Sequence, residues 1–251
     1  PSLLLATNDN YKLPDKIVSD EYITIEGEKL SKSKGNYITL RHLLDNYPVD
    51  SIRYYFSINN PETRDFNFTY EGFINSINGE LLGKWGNFVN RTLQFINKSF
   101  DGKLNSNNID ENLENKLKEL YDVVGKDIDN GDTKDGLSKI FDFINYSNKY
   151  FDENEPWKLA KETPNKCEDI LYNCCNIILN INNLLKPYFV ETTKSVEEYL
   201  NSSIDNWNYK RIDSVNLSNE IKPLFIRYDK SVIDIENLKE IIYNSLVEDK
   251  D

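Results

Sequence analysis

The sequence predicts a mainly α chain, with a short α/β region ahead of an α-helical bundle. Three observations carry this. Apolar residues recur every three or four positions from Thr69 to Phe100, and four later stretches repeat that period between short polar loops. Strand-like alternation is confined to "EYITIEGEK", residues 21–29.

In that first stretch Ile23 and Ile25 alternate with polar residues and lead into a turn at Gly27. The basic octet "KLSKSKGN", residues 29–36, follows as a loop. "TLRHLLDNY" starts a helix at Thr39 with Leu40, Leu43 and Leu44 on one face. Pro48 opens a second, "PVDSIRYYFSIN", with Ile52, Tyr55 and Phe56 on one face. One long helix is then expected from Thr69 to Phe100, capped by Thr69, with Gly72 and Gly79 as weak points. Phe73, Ile77, Leu81, Trp85, Phe88, Val89, Leu93, Ile96 and Phe100 form its slowly drifting apolar stripe. Lys84, Asn87, Arg91, Gln94 and Lys98 fall on the other side. Further helices are expected at 110–128, 133–152, 166–185, 192–200 and 233–247, with "DENEPW" among the connections and no strand interrupting the bundle.

The totals narrow the function classes. With 42 acidic against 30 basic residues, the net charge of −12 argues against a nonspecific grip on nucleic acid, though not against a local basic site. Cys167, Cys174 and Cys175 are too few and too close for a disulfide framework. Cys167 and Cys174 share a helical face and read as small buried thiols, which fits an intracellular protein. With His42 the single histidine, multi-histidine metal sites and histidine-based triads are not expected. No apolar run reaches the ~18 residues of a membrane span. The opening "PSLLLATNDNYKLP" reads as the middle of a longer chain. Methionine is absent, where about five would be average; drift toward Asn, Ile, Lys and Tyr accounts for it.

The octet concentrates three lysines in an acidic chain. Lys29 and Lys32, three residues apart in a tight turn, can reach one anionic group, although short Lys/Ser runs are also common in solvated loops. Ser31 and Ser33 can donate hydrogen bonds, and Gly35 lets the loop open and close. On the long helix Asn87 and Arg91 lie one turn apart; an amide and a guanidinium suit the edges of unpaired bases, although the same spacing is common on solvated helices. Trp157 follows Pro156 after a helix, where an indole can be exposed for stacking.

Together these stretches resemble a known family. "EGEKLSKSKGNYI" resembles the second signature loop of class I aminoacyl-tRNA synthetases, Lys-Met-Ser-Lys-Ser, with Leu30 in the methionine place. That loop and "PVDSIRYYF" leave several of these enzymes open. "RDFNFTYEGFINSINGELLGKWGNFVNRTLQFI", "YFDENEPWKLAK", "LLKPYFVETTKSVEEYL" and "IKPLFIRYD" resemble methionyl-tRNA synthetases in order and spacing, over nearly the whole chain.

The resemblance implies the C-terminal portion of an ATP-dependent, AMP-forming methionine–tRNA ligase. Residues 1–68 would be the end of the catalytic domain and the signature-loop (stem-contact) region, 69–230 the anticodon-binding helical bundle, and 231–251 a C-terminal helix. It implies an ATP-binding loop of Lys29, Leu30, Ser31, Lys32 and Ser33, in which Lys32 is the critical lysine and Lys29 assists in catalysis. Leu30 should anchor the loop about as a methionine would. Anticodon readers would be Asn87, Arg91 and Trp157, with Trp85 and Trp207 as packing residues. ATP with Mg2+ is expected for the full-length enzyme, with no metal site in this chain. The expected partners are methionine-specific tRNA and a missing N-terminal catalytic half that carries the His-Ile-Gly-His signature; no membrane or DNA partner is expected, and the location is cytoplasmic. A stand-alone tRNA-binding paralogue, or the same region of a synthetase for another aliphatic amino acid, stays open. Asp20-Glu21 stands where the family usually has His-Gly, which places two negative charges ahead of the loop.

Overall fold

The computed structural model describes residues 7, 12, 14–31, 37–218 and 220–229. The expected hairpin is present: β1 (Ile23–Ile25) turns through Glu26 and Gly27 into β2 (Glu28–Lys29), with Thr24 opposite Lys29. Both turn residues have positive φ, 49° and 81°, the twist that suits a two-residue hairpin. Glu26 is held in this left-handed position by its neighbours. Its N–H donates to Phe68 O (2.9 Å) and its carboxylate accepts from Tyr70 N–H (3.0 Å).

A third strand, not evident in the sequence, joins this hairpin. β3 (Phe66–Phe68) lies parallel to β1, with Ile25 opposite Phe68, in the order β2-β1-β3. Parallel neighbours need a crossover connection. The crossover carries the basic loop and two helices, α1 (Leu40–Asn46) and α2 (Val49–Ile58). Thr39 caps α1, its Oγ1 accepting from His42 N–H at 3.1 Å. Of the leucine face expected on α1 only Leu43 is buried; Leu40 is 63% and Leu44 41% exposed. A seven-residue helix offers α2 a single row, and no described element covers the rest. Conversely α2 is covered on two sides. Tyr55 meets the rings of Phe66, Phe68 and Phe73, while Tyr54 packs on Phe141.

The long helix runs unbroken as expected, but its middle is wider. α3 (Tyr70–Ser76) passes into a π-helical stretch (Ile77–Gly86) and then α4 (Asn87–Phe100). Phe73, Ile77, Leu81 and Trp85 recur every four residues, slightly more than the roughly 3.6 of an α turn. On an α-helix they would drift around the cylinder; the wider i→i+5 turns counter that drift, and all four are fully buried. Each such burial contributes ~1.5–3 kcal/mol, which outweighs the poorer backbone geometry. Gly72 is a close-approach site rather than a weak point: a Cβ there would sit 2.5 Å from the Tyr55 hydroxyl.

The bundle continues with α5 (Glu111–Asn130), α6 (Thr133–Asn154), α7 (Pro156–Glu162), α8 (Pro164–Leu185) and α9 (Glu191–Leu200). Four match expected helices to within two residues. The fifth, α7, occupies what read as a connection: Glu155 turns left-handed (φ 43°) and Pro156 starts a new helix. A second correction concerns strands, since β4 (Lys103–Leu104) pairs with β5 (Val215–Asn216) beside the bundle. The helix expected at 233–247, within the expected C-terminal segment 231–251, lies outside the described residues.

α8 forms the centre of the bundle and is buried from Leu171 to Leu185. All three cysteines lie on it, fully buried; burial pushes the Cys167 thiol up to about 11, with Glu168 adding to the shift. Its asparagines replace sheet partners for the irregular chain around them. Asn173 accepts from Asp110 N–H, Asn176 from Ile212 N–H and Asn180 from Lys210 N–H, while Asn183 donates to Asn206 O. Trp85 and Trp207 are packing residues, Trp207 donating to Tyr121 O at 3.2 Å. No helix among the described residues is long and apolar enough to cross a membrane.

α2 is fastened to the bundle by charge. Asp50 is 1% exposed; its carboxylate accepts from the N–H groups of Val190 (2.7 Å), Glu191 (3.1 Å) and Thr192 (2.7 Å) and from Thr192 Oγ1 (2.7 Å). These are first-turn donors of α9, which its own helix cannot satisfy. One turn along, Arg53 donates to Tyr188 O (2.6 Å) and Pro187 O (2.9 Å), just past the end of α8. Asp50→Ala strands these buried donors and should cost roughly 2–4 kcal/mol, with Asp50→Asn costing less. Urea unfolding measures both; curves that overlay the parent would show that the clamp does not stabilise.

Candidate functional site

The sequence singled out two regions, and they sit on different elements. The basic loop leaves the hairpin at Lys29, the last residue of β2, which is exposed. Leu30 is 50% exposed and Ser31 half-buried. The antiparallel register carries Leu30 to the position opposite Ile23, at the end of the hairpin away from Ile25 and the turn, and its exposure gives no sign there of the expected anchoring. Lys32 and Ser33 lie outside the described residues. The described residues resume at Tyr37, just ahead of the Thr39 cap of α1. Antiparallel pairing brings Leu30 and Ser31 back toward the strand end that Asp20 and Glu21 precede. Both acids are exposed, and Asp20 accepts from the Asn60 amide at 3.4 Å.

The second region lies where α4, α6 and α7 meet. Asn87 opens α4, is exposed, and makes no side-chain hydrogen bond among the described residues. Arg91, one turn further, is not the solvated side chain that its spacing suggested. It donates to Asp152 Oδ1 (2.6 Å) and Asn148 O (2.8 Å), and its guanidinium lies 4.3 Å from the Phe151 ring centre. Its Nε is buried without a partner. Trp157 stands in the first turn of α7, 43% exposed, with its ring centre 6.3 Å from that of Phe151.

Phe151 thus meets both the guanidinium and the indole and brings Arg91 and Trp157 together, with Asn87 one turn before Arg91 on α4. Sequence reasoning missed Phe151, Asn148 and Asp152. The signal was present, since Phe151 and Asp152 adjoin the "ENEPW" that placed Trp157, but nothing in that stretch shows which ring faces Arg91. Charge–π contact and two charge-assisted hydrogen bonds hold the guanidinium in one orientation. The exposed indole face offers a stacking surface, and Asn87 offers one donor pair and one acceptor beside it.

The polar side of α4 is also less open than expected. Gln94 donates to Ile221 O (2.9 Å) and Asn97 to Ser218 O (3.2 Å), so the late irregular chain covers the helix's C-terminal half. Lys84 pairs with Glu80 at 2.6 Å. No group of three or more His, Cys, Asp and Glu among the described residues is arranged to hold a metal ion.

Comparison with known proteins bears on both regions. The family model described as tRNA synthetases class I (M) matches residues 1–93. A methionine–tRNA ligase of Alkaliphilus oremlandii is 40% identical over 228 residues, which is 91% of this chain and 42% of that protein. One from Bacillus cereus is 42% identical over 220 residues, 86% of this chain and 40% of that protein. The chain therefore spans about two-fifths of the length of these relatives. In fold it is similar to methionyl-tRNA synthetase of Mycobacterium tuberculosis bound by methionyl-adenylate, with a TM-score of 0.78, 21% identity, and coverage of 90% of this chain and 46% of that one. Over about nine-tenths of its length the chain is thus similar in sequence to a methionine–tRNA ligase and in fold to a methionyl-tRNA synthetase.

Proposed function

We propose that this chain is the C-terminal portion of a methionine–tRNA ligase and reads the tRNA anticodon through Asn87, Arg91 and Trp157. The observation that carries the reading is the contact of Phe151 with both Arg91 and Trp157, one helical turn from the exposed amide of Asn87. A fixed indole offers one unpaired base a stacking partner, worth ~1–3 kcal/mol. Asn87 and the remaining N–H groups of Arg91 can meet base edges, which unpaired loops expose. Residues 69–230 form the RNA-reading bundle in this proposal, and 1–68 the signature-loop region with the end of the catalytic domain.

In the full-length enzyme the loop Lys29–Ser33 serves the activation step. Forming the aminoacyl adenylate from ATP expels pyrophosphate, so negative charge grows on the leaving phosphates. Lys29 and Lys32 stabilise that charge more in the transition state than in the ground state. The crossover suits this task by holding the two ends of the loop, at the hairpin and at the Thr39 cap. The Mg2+ expected with ATP is given no ligand among the described residues. Such a ligase acts in the cytoplasm on methionine-specific tRNA.

Trp157→Ala should weaken binding of a methionine-anticodon stem-loop roughly tenfold or more while thermal unfolding stays cooperative. Equal affinities in a fluorescence titration would remove the indole from the site. Lys32→Ala in the full-length enzyme should lower ATP–pyrophosphate exchange by about a hundredfold or more, with little change in methionine affinity. An unchanged exchange rate would take Lys32 out of the mechanism.

A further inference from the structure

The amide side chains along the long helix divide into two sets. Asn78, Gln94 and Asn97 hold the late irregular chain in place. Asn78 both donates to Tyr228 O (2.7 Å) and accepts from Tyr228 N–H (3.0 Å), while Gln94 and Asn97 bind Ile221 O and Ser218 O. Asn87 and Asn90 make no side-chain hydrogen bonds among the described residues, and neither does Arg227 on the strap they face. Between these groups runs a groove of about 480 Å3, with Asn87 and Asn90 on the helix wall and Pro223 and Leu224 on the strap wall. Arg227 lines it too and also lines an adjoining groove with Asn75 and Asn78, so it stands where the two meet.

The far wall is built in. Phe225 is 4% exposed and seats against the helix at Gly86, where a Cβ would lie 3.1 Å from its ring. Glycine permits that close approach, and the asparagine and glutamine bonds fix the strap on either side of it. A fixed groove with an apolar wall, two free amides and a free guanidinium matches the three parts of a nucleotide. The flat base face suits Pro223 and Leu224, the base edge suits an amide that both donates and accepts, and the phosphate suits the guanidinium. Asn87 lines this groove and stands one turn before Arg91, so the two regions adjoin along α4.

We propose that this groove binds an unpaired RNA nucleotide adjoining those read at Asn87, Arg91 and Trp157, with Asn90 at its base edge and Arg227 at its phosphate. The proposal rests on the anticodon reading above. With a net charge of −12 the chain has no broad electrostatic hold on RNA, so a local guanidinium contact should be visible in the salt dependence.

The test is a fluorescence titration of the 251-residue chain with a methionine-anticodon stem-loop at several salt concentrations. Asn90→Ala and Arg227→Ala should each weaken binding about tenfold, and Arg227→Ala should also reduce the salt slope by about one. Neither side chain has a hydrogen-bond partner among the described residues, so thermal unfolding should be unchanged. Removing single loop bases should reveal one position that the parent senses and Asn90→Ala does not. If Trp157→Ala weakens binding while both groove variants bind like the parent, the groove proposal is overturned and the anticodon reading stands. If the parent fails to bind the stem-loop, the anticodon reading falls and the groove falls with it.

Discussion

The buried carboxylate of Asp50 is the constraint on which the rest depends. A charge with 1% exposure is stable only if the donors around it replace water, and here three backbone N–H groups and one hydroxyl do so. The same groups would otherwise be the unpaired first turn of α9. Arg53 completes the arrangement by meeting the carbonyls just past α8. One short helix thereby supplies an anion to a helix N-terminus and a cation to a helix C-terminus, in the sense that both macrodipoles favour. Because α2 belongs to the β1–β3 crossover, this clamp ties the frame of the basic loop to the bundle. The apolar core is accordingly one cluster that runs from Ile25 to Phe225.

A similar logic of fixed polar groups shapes the side where α4, α6 and α7 meet. Arg91 is held by a carboxylate, a backbone carbonyl and a ring, so its guanidinium is oriented before any ligand arrives. Preorganisation of this kind lowers the ordering cost of binding. Asn87 and Trp157, by contrast, keep open surface beside it. Along the same helix three other amides are spent on fastening the strap that forms the opposite wall. Whether an amide holds the fold or faces solvent is decided by where that strap crosses.

The helical periods were legible because burial of one face imposes them: all nine stripe residues from Phe73 to Phe100 face the core, only Phe100 and its neighbours near the helix end being less than fully covered. The hairpin was legible from the alternation of Ile23 and Ile25. Three features were not legible. Phe66–Phe68 is too short for a strand pattern, and it becomes a strand only because β1 lies beside it. Leu40 and Leu44 follow a helical face that no described element covers. The break at Glu155 depends on a left-handed residue that is not glycine, so composition does not reveal it.

At the site the division is similar. Residue type and spacing, together with the resemblance of the surrounding motifs, singled out Lys29 to Ser33, Asn87, Arg91 and Trp157 as candidates for contact with phosphates and base edges. The contact of Phe151 with Arg91 and Trp157 was invisible, since ring-to-cation contact is a matter of which helix faces which. Asp50 reads from its neighbours as a first-turn acid serving its own helix. Its actual partners, Val190, Glu191 and Thr192, lie 140, 141 and 142 residues away. The sequence by itself determined the periodic elements and the chemical groups on offer, because both are local properties of the chain. Only the tertiary structure decided which groups are spent on holding it together and which are left to bind, because that depends on contacts between segments far apart in the chain.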